Sequence, residues 1–584
     1  MAGYVGPVQP DEVQHAIAVA GGRTPGSLLL TGVQVVNVFT GEMLPGPILL
    51  AGRLIAGVGD AVQDAAAEAV LDLSGYVVAP GFVDGHVHLE SALVEPREYA
   101  RAVVPRGVTA VVWDPHEWAN VVGEFAFTAA RQATDGLALD VFFTASSCVA
   151  ASPLETAGAS LSPEALDQLL AGSRVVGLGE LMNFPGVIAG GAEELAKAWC
   201  AERRGKVIDG HAPLLTGRGL QAYAVAGIGS DHECMVLEEA REKLRLGLMV
   251  FIREGSAARN LEALLPLVTR QNRDRFCFVT DDRHPHDLVH EGGVDFAVRK
   301  AVNRGMEATI AVQLATLNPA RYFGLRRRGA VAPGYMADLA ILDPQTLSAH
   351  MVFKEGRLVA QDGELLTDVS PPIDPRLLET VKLPVLTPER LSLGGAAPQV
   401  RVIGLVPDQI VTRSLLLEPT VREGEMVPDP GRDLAKLVVI ERHGRTGGVG
   451  VGLLQGLGLR KGAIASTVAH DAHNIIVAGM SDGDILLAAR AVAETGGGFA
   501  VVDDGRLVAR LELPVGGLMS HQPLDTVAAE LEQLERAARD LGVHIRRPFM
   551  AISFLALSVI PELKLTDQGL VEPASGQLVS LRVE

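Results

Sequence analysis

Two histidines one residue apart, His86 and His88, close the run Pro80-Gly81-Phe82-Val83-Asp84-Gly85. In an extended strand residues i and i+2 share a face, so both imidazoles can turn to one metal ion. The pair alone is a weak signal, and its weight comes from residues further along the chain. Four more ligand types stand in strand-like apolar settings: Glu180 in VVGLGELMN, His211 in VIDGHAP, His232 in IGSDHE and Asp281 in FCFVTDD. Taken singly, each reads as an ordinary polar residue of the core or surface. Taken together and in this order, they read as a metal centre with an acid/base group beside it. Divalent ions held by imidazole and carboxylate lower the pKa of bound water towards ~7, which supplies hydroxide at neutral pH.

The surrounding words narrow the reading. Asp114-Pro115-His116-Glu117-Trp118-Ala119-Asn120, Gly179-Glu180-Leu181-Met182-Asn183-Phe184-Pro185-Gly186-Val187, Ser230-Asp231-His232-Glu233 and Thr280-Asp281-Asp282-Arg283-His284-Pro285 closely resemble the bacterial adenine deaminases of the metal-dependent amidohydrolase superfamily. The resemblance covers nearly the whole chain, including Val468-Ala469-His470-Asp471-Ala472-His473-Asn474. It implies hydrolytic deamination of adenine to hypoxanthine and ammonia, in purine salvage, by a metal-activated hydroxide. His86 and His88 would hold one ion, His211 and His232 a second. Many related two-metal barrels bridge their ions with a carbamylated lysine after the fourth strand; here Gly179-Glu180 stands at that place, which makes Glu180 the candidate bridge. Asp281, also a metal ligand, is the expected general acid/base. Strand alternation sends Asp281 and Asp282 to opposite faces, so only one should point inwards. The donor set admits manganese, iron(II) or zinc, and the resemblance favours Mn(II) or Fe(II).

Further residues are expected near this centre, each with a plainer alternative. Glu233 would orient a ligand or bond the purine, or else face outwards as a helix-start carboxylate. Arg253 would be a charge partner of the site, or one half of a solvated ion pair. Asp114, His116 and Glu117 would contact substrate or a further metal at the barrel mouth, or form a turn capped by Asp before Pro. Asn183, with Phe184 and Pro185, could pack on a planar base or belong to the core. His470, Asp471 and His473 could close the site from the C-terminal segment, or make a hydrogen-bonded turn.

The chain that must position these groups has 584 residues, 48% apolar, with 64 glycines and 4% aromatics, which suits two or three domains of α/β type. From about 80 to 325, strand-like runs alternate with helical ones, the pattern of a (β/α)8 barrel, and every candidate ligand falls at a strand's C-terminal end, where such barrels carry their sites. Residues 11–20 read as a leading helix. Short β runs before the barrel (1–79) and after it (326–383) suggest one discontinuous β-sandwich, and 384–584 a separate C-terminal α/β domain. The glycine-rich run 444–456 reads as turns between strands rather than a dinucleotide loop.

A net charge of −19 opposes binding to nucleic acid or anionic membrane. Four scattered cysteines argue for reduced thiols, and the N-terminal residues lack the pattern of a signal peptide, so a cytoplasmic location is expected. A homo-oligomer, dimer or tetramer, is the expected assembly. Two other functions stay open at this level: deamination of a modified adenine or another aminopurine, and non-catalytic purine binding, for which Asp281 would have no chemical use.

Overall fold

The structure, a computed structural model, describes residues 6–367, 369–407 and 409–583. The first five residues, on which part of the N-terminal reading rests, lie outside the described residues.

Eight parallel strand positions curl into a barrel: Phe82–His88, Val108–Trp113, Asp140–Ala145, Val175–Leu181, Val207–Gly210, Ser230–Asp231, Met249–Arg253, and an interrupted eighth made of Phe276–Val279 and Asp281–Asp282. Closure comes from the eighth strand pairing with the first, Asp281 opposite Val87 and Asp282 opposite His88. Sheets covered on both faces need apolar residues at every position rather than alternate ones. Val108–Trp113 and Phe276–Val279 are accordingly buried throughout. Between the strands run helices such as Pro163–Leu170, started by Ser162 accepting a hydrogen bond from the Ala165 amide. The Asp114-Pro115-His116-Glu117 word opens the helix His116–Val122, which ends at Gly123 with φ 66°, a left-handed value that favours glycine. A second helix, Phe125–Thr134, comes next.

Strands from both sides of the barrel share one seven-stranded sheet. Val77–Pro80, just before the barrel, pairs antiparallel with Leu339–Leu342, just after it. A four-stranded sheet built on Leu28–Thr31 and Ile48–Ala51 faces it across a core of Leu30, Val35, Ile48, Val78, Leu339 and Ile341. The leading helix, Pro10–Ala20, buries Ala16 and Val19 against this unit.

The C-terminal segment forms a nine-stranded, mostly antiparallel sheet, in which Ala463–Ser466 and Ile475–Gly479 pair and leave the loop 467–474 between them. Helices Asp482–Glu494 and Leu524–Asp540 pack on it. The apolar stretch near Met550 is a short buried helix, Pro548–Ser553, continued by a 3-10 turn, Phe554–Ala556. Among the described residues no helix is long and apolar enough to cross a membrane.

The glycine-rich run does two jobs. Gly444, Gly447 and Gly456 take positive φ in turns, as expected, but Gly450 and Gly452 lie inside the strand Val449–Gln455. A side chain at Gly450 would place its Cβ 1.9 Å from the Thr566 carbonyl oxygen, so this strand needs glycine to let the Lys564–Thr566 strand approach. Gly450→Ala should therefore destabilise the C-terminal domain by about 1–3 kcal/mol, read as a lower thermal unfolding midpoint. An unchanged midpoint would show that the two strands separate at no cost.

Candidate metal centre

Each candidate ligand sits where a barrel strand ends. His86 and His88 finish the first strand, Glu180 is the next-to-last residue of the fourth, and His211 and His232 come directly after the fifth and sixth. All are buried. Glu180 is the hub: its Oε1 lies 3.2 Å from His88 Nε2, 4.0 Å from His86 Nε2 and 3.5 Å from His116 Nδ1, and its Oε2 lies 2.6 Å from His211 Nδ1 and 3.1 Å from His232 Nε2. Gly179 makes this placement available, since a Cβ there would fall 2.0 Å from Asp114 Oδ2.

The first two imidazoles are held from behind. His86 Nδ1 is 2.8 Å from Asp209 Oδ2, and His88 Nδ1 is 3.0 Å from the Asp114 carbonyl oxygen. Both partners accept, so both Nδ1 atoms donate, and the two Nε2 atoms, 3.2 Å apart, are left to take up a proton or a metal ion. Two lone pairs at that separation repel unless a cation stands against them. The same demand recurs around them: His232 Nδ1, His211 Nε2 and both nitrogens of His116 are buried without a hydrogen-bond partner among the described residues. Donor atoms of His86, Glu180 and His232, of His86, His88 and Asp281, and of His88, His116 and Glu180 each converge within 4.8 Å. Imidazole and carboxylate in this density, with their outer atoms already fixed, fit divalent metal ions.

Electrostatics agree. Burial penalises the Glu180 carboxylate, but His211, His232 and His88 outweigh that and hold its pKa well below the usual carboxylate range. Burial likewise disfavours a charged His232, yet Glu180 and Asp281 push it up to about 10. The pocket selects for positive charge at its middle.

Asp281 and Asp282 do not alternate as a regular strand would. Asp281 has φ 58°, a left-handed value that is strained for a non-glycine residue and marks a break between the two pieces of the eighth strand. Both carboxylates turn inwards as a result. Asp281 Oδ1 lies 3.3 Å from His88 Nε2 and its Oδ2 2.7 Å from Arg253 Nη1, while Asp282 meets Arg253 Nη2 at 3.0 Å and accepts from Ser91 Oγ at 2.6 Å. The expectation that only one of the pair faces the site is corrected by that φ. Burial opposes the charge on Asp281, but Arg253 and His88 hold its carboxyl well below its ordinary value.

Glu233 is buried and ion-paired with Arg253, so neither is an outward-facing or solvated charge. From the C-terminal sheet, loop 467–474 reaches the barrel: His470 Nδ1 lies 3.2 Å from Glu117 Oε1, and Asp471 Oδ1 3.7 Å from His116 Nε2. His473 turns back into its own loop, where its Nδ1 accepts from the Ala469 amide. Asn183 stands apart, capping the helix Phe184–Ile188 through Gly186 N and bonding Glu194. Sequence reasoning missed three neighbours. Asp209 was open to the same i, i+2 argument as His86, since it precedes His211 by two. Cys148, after the third strand, and Phe554, whose ring stacks on His470 at 4.5 Å between centroids, gave no local signal.

Comparison with known proteins decides the family. Residues 77–361 match the amidohydrolase family model and residues 409–577 that of the adenine deaminase C-terminal domain. Adenine deaminase 2 of Carboxydothermus hydrogenoformans is 47% identical over 569 residues, 97% of this chain and 99% of its own. The chain belongs to the adenine deaminase family. Adenine deaminases of Desulfatibacillum aliphaticivorans and Halalkalibacterium halodurans are 44% and 42% identical, each over 97% or more of both chains. A solved D-aminoacylase whose binuclear metal centre has been studied aligns with 59% of this chain and 98% of its own, at 19% identity and a TM-score of 0.45. In this adenine deaminase family member, Asp209→Asn tests how His86 is held. An amide that donates to Nδ1 would move the imidazole proton to Nε2 and spoil it as a ligand, so metal affinity should fall about 10- to 100-fold in an equilibrium metal titration. Unaltered affinity would mean that the 2.8 Å contact does not set the tautomer.

Proposed function

We propose that this chain hydrolyses adenine to hypoxanthine and ammonia at the C-terminal face of the barrel. The observation that carries the reading is the convergence of four imidazoles and two carboxylates at that face, in a chain 47% identical along its length to Adenine deaminase 2. His86, His88, Glu180, His211, His232 and Asp281 would hold two divalent ions, with Glu180 shared between them. An imidazole and carboxylate set without thiolate admits Mn(II), Fe(II) or Zn(II), and the likeness to the adenine deaminases favours Mn(II) or Fe(II). When bound, such ions supply Lewis acidity and make water acidic enough to deprotonate near neutral pH.

The chain's own residues do the rest. Asp281 is kept ionised by Arg253 and His88 and stands beside the imidazoles of the centre, where it can accept the proton of the attacking water. The oxygen adds to C6 of the purine, and Asp281 returns the proton to the ring or to the departing amine. Of the water's two protons one ends on a ring nitrogen and the other on the amino group, so that carbon–nitrogen cleavage releases ammonia and the added oxygen stays as the carbonyl of hypoxanthine. Arg253 ties Asp281, Asp282 and Glu233 into one array, so that Asp281 is aimed without rotating freely. Loop 467–474 covers the site and sets His470 and Asp471 against Glu117 and His116, a placement that keeps bulk water from the reacting centre. Four buried free cysteines suit a cytoplasmic enzyme.

Two substitutions test the assignment. Asp281→Asn should fold, keep most of its metal and lose about 10²- to 10⁴-fold in turnover, with adenine affinity far less affected. Asp282→Asn, measured beside it at matched metal content, should retain more turnover. The reverse order would transfer the proton-carrying role to Asp282. Glu180→Gln removes the charge shared by both ions and should bind fewer than two metals per chain by elemental analysis; two retained ions with ordinary kinetics would exclude Glu180 as the bridge.

A further inference from the structure

Beside the two-ion centre lies a second set of buried ligating groups that the deamination chemistry does not use as metal donors. Cys148 comes from the segment after the third barrel strand, His116 and Glu117 from the start of the helix His116–Val122, and His470 and Asp471 from loop 467–474. One donor atom each from His116, Cys148 and Asp471 lies within 4.8 Å of the others, and the same holds for His116, Glu117 and His470. His116 Nε2 is 3.7 Å from Asp471 Oδ1, and His470 Nδ1 is 3.8 Å from the same oxygen and 3.2 Å from Glu117 Oε1. His116 Nε2, Asp471 Oδ2 and Glu117 Oε1 are buried and lack a hydrogen-bond partner among the described residues. A polar cluster this deep in the protein, with this many unmet atoms, calls for a guest.

We propose that this cluster is a third cation site, held by Cys148, His116 and Asp471 with His470 and Glu117 beside them, and suited to Zn(II). Donors that all lie within a few ångströms of one another converge on a point, whereas a purine edge needs partners spread along a line. Sulfur, imidazole and carboxylate around one point form a borderline-soft set, which fits zinc better than the harder manganese. Binding replaces the Cys148 thiol proton with the metal and releases that proton to solvent, so charge and atoms balance without any redox partner. The donors come from both the barrel and the C-terminal sheet, so the ion fastens the two together. This site stands whether or not the neighbouring centre deaminates adenine.

Cobalt(II) is the probe, because it replaces zinc and gives a near-ultraviolet charge-transfer band only when bound to thiolate. The full chain, stripped of metal under reducing conditions, is titrated with Co(II) while absorbance and bound metal are monitored. Filling of the two-ion centre produces no such band, since it contains no sulfur. The expected result is a third equivalent whose binding brings up the band. In Cys148→Ser the band should vanish while two equivalents still bind, which also shows that the variant has folded. Asp471→Asn should keep the thiolate and weaken the third equivalent about tenfold or more. Saturation at two equivalents with no band would overturn the proposal, and so would a band that persists in Cys148→Ser.

Discussion

Six imidazole and carboxylate side chains cannot be crowded into one dry space unless positive charge stands among them. His86, His88, His211, His232, Glu180 and Asp281 meet within a few ångströms, with two imidazole nitrogens 3.2 Å apart and several atoms unpartnered. Much of the surrounding architecture serves that condition. Asp209 and the Asp114 carbonyl turn two imidazoles by their far nitrogens, Gly179 clears space for Asp114, and Arg253 gathers three acids that would otherwise repel. None of these would be arranged so for packing alone, because apolar residues of similar volume fill a barrel mouth at less electrostatic cost.

The C-terminal domain contributes through backbone as much as through side chains. Arg442, wholly buried and without a carboxylate partner among the described residues, donates to the carbonyls of His473 and Gly516, and burial brings its pKa down to about 9. His443 Nε2 meets the Ala472 carbonyl at 2.7 Å. Loop 467–474 is thus gripped by its main chain, which frees the His470 and Asp471 side chains to face the barrel. Phe554 stacks flat on His470 and fixes its ring plane. The site is therefore assembled from segments that share no local sequence, and it depends on how the sheet sits against the barrel.

That dependence marks where the sequence could be read and where it could not. The barrel, the split sandwich and the convergence of His86, His88, Glu180, His211, His232 and Asp281 were legible because each of these side chains stands at or just past the end of an apolar strand, and a period of two brings His86 and His88 to one face. Asp282 was misjudged because alternation assumes regular backbone, and the positive φ at Asp281 is imposed by tertiary structure. Asn183 drew notice through a family word, yet it caps a helix, a local role its neighbours already spelled out. Phe554 and Cys148 stayed silent since an aromatic or a thiol in an apolar run looks like any core residue until a distant loop is laid against it.

The shared sandwich sheet also sets a timetable. Val77–Pro80 cannot complete its pairing until Leu339–Leu342 exists, about 260 residues later in the chain. At roughly 5–20 residues per second, a ribosome leaves that edge waiting for some 13 to 50 seconds. During this interval the barrel between them must fold with one end of its support unfinished, and an unpaired apolar strand such as Val77–Pro80 is a template for wrong partners. Expression temperature and chaperone supply should therefore govern how much of this protein survives its own synthesis, through a single pair of strands far from any chemistry.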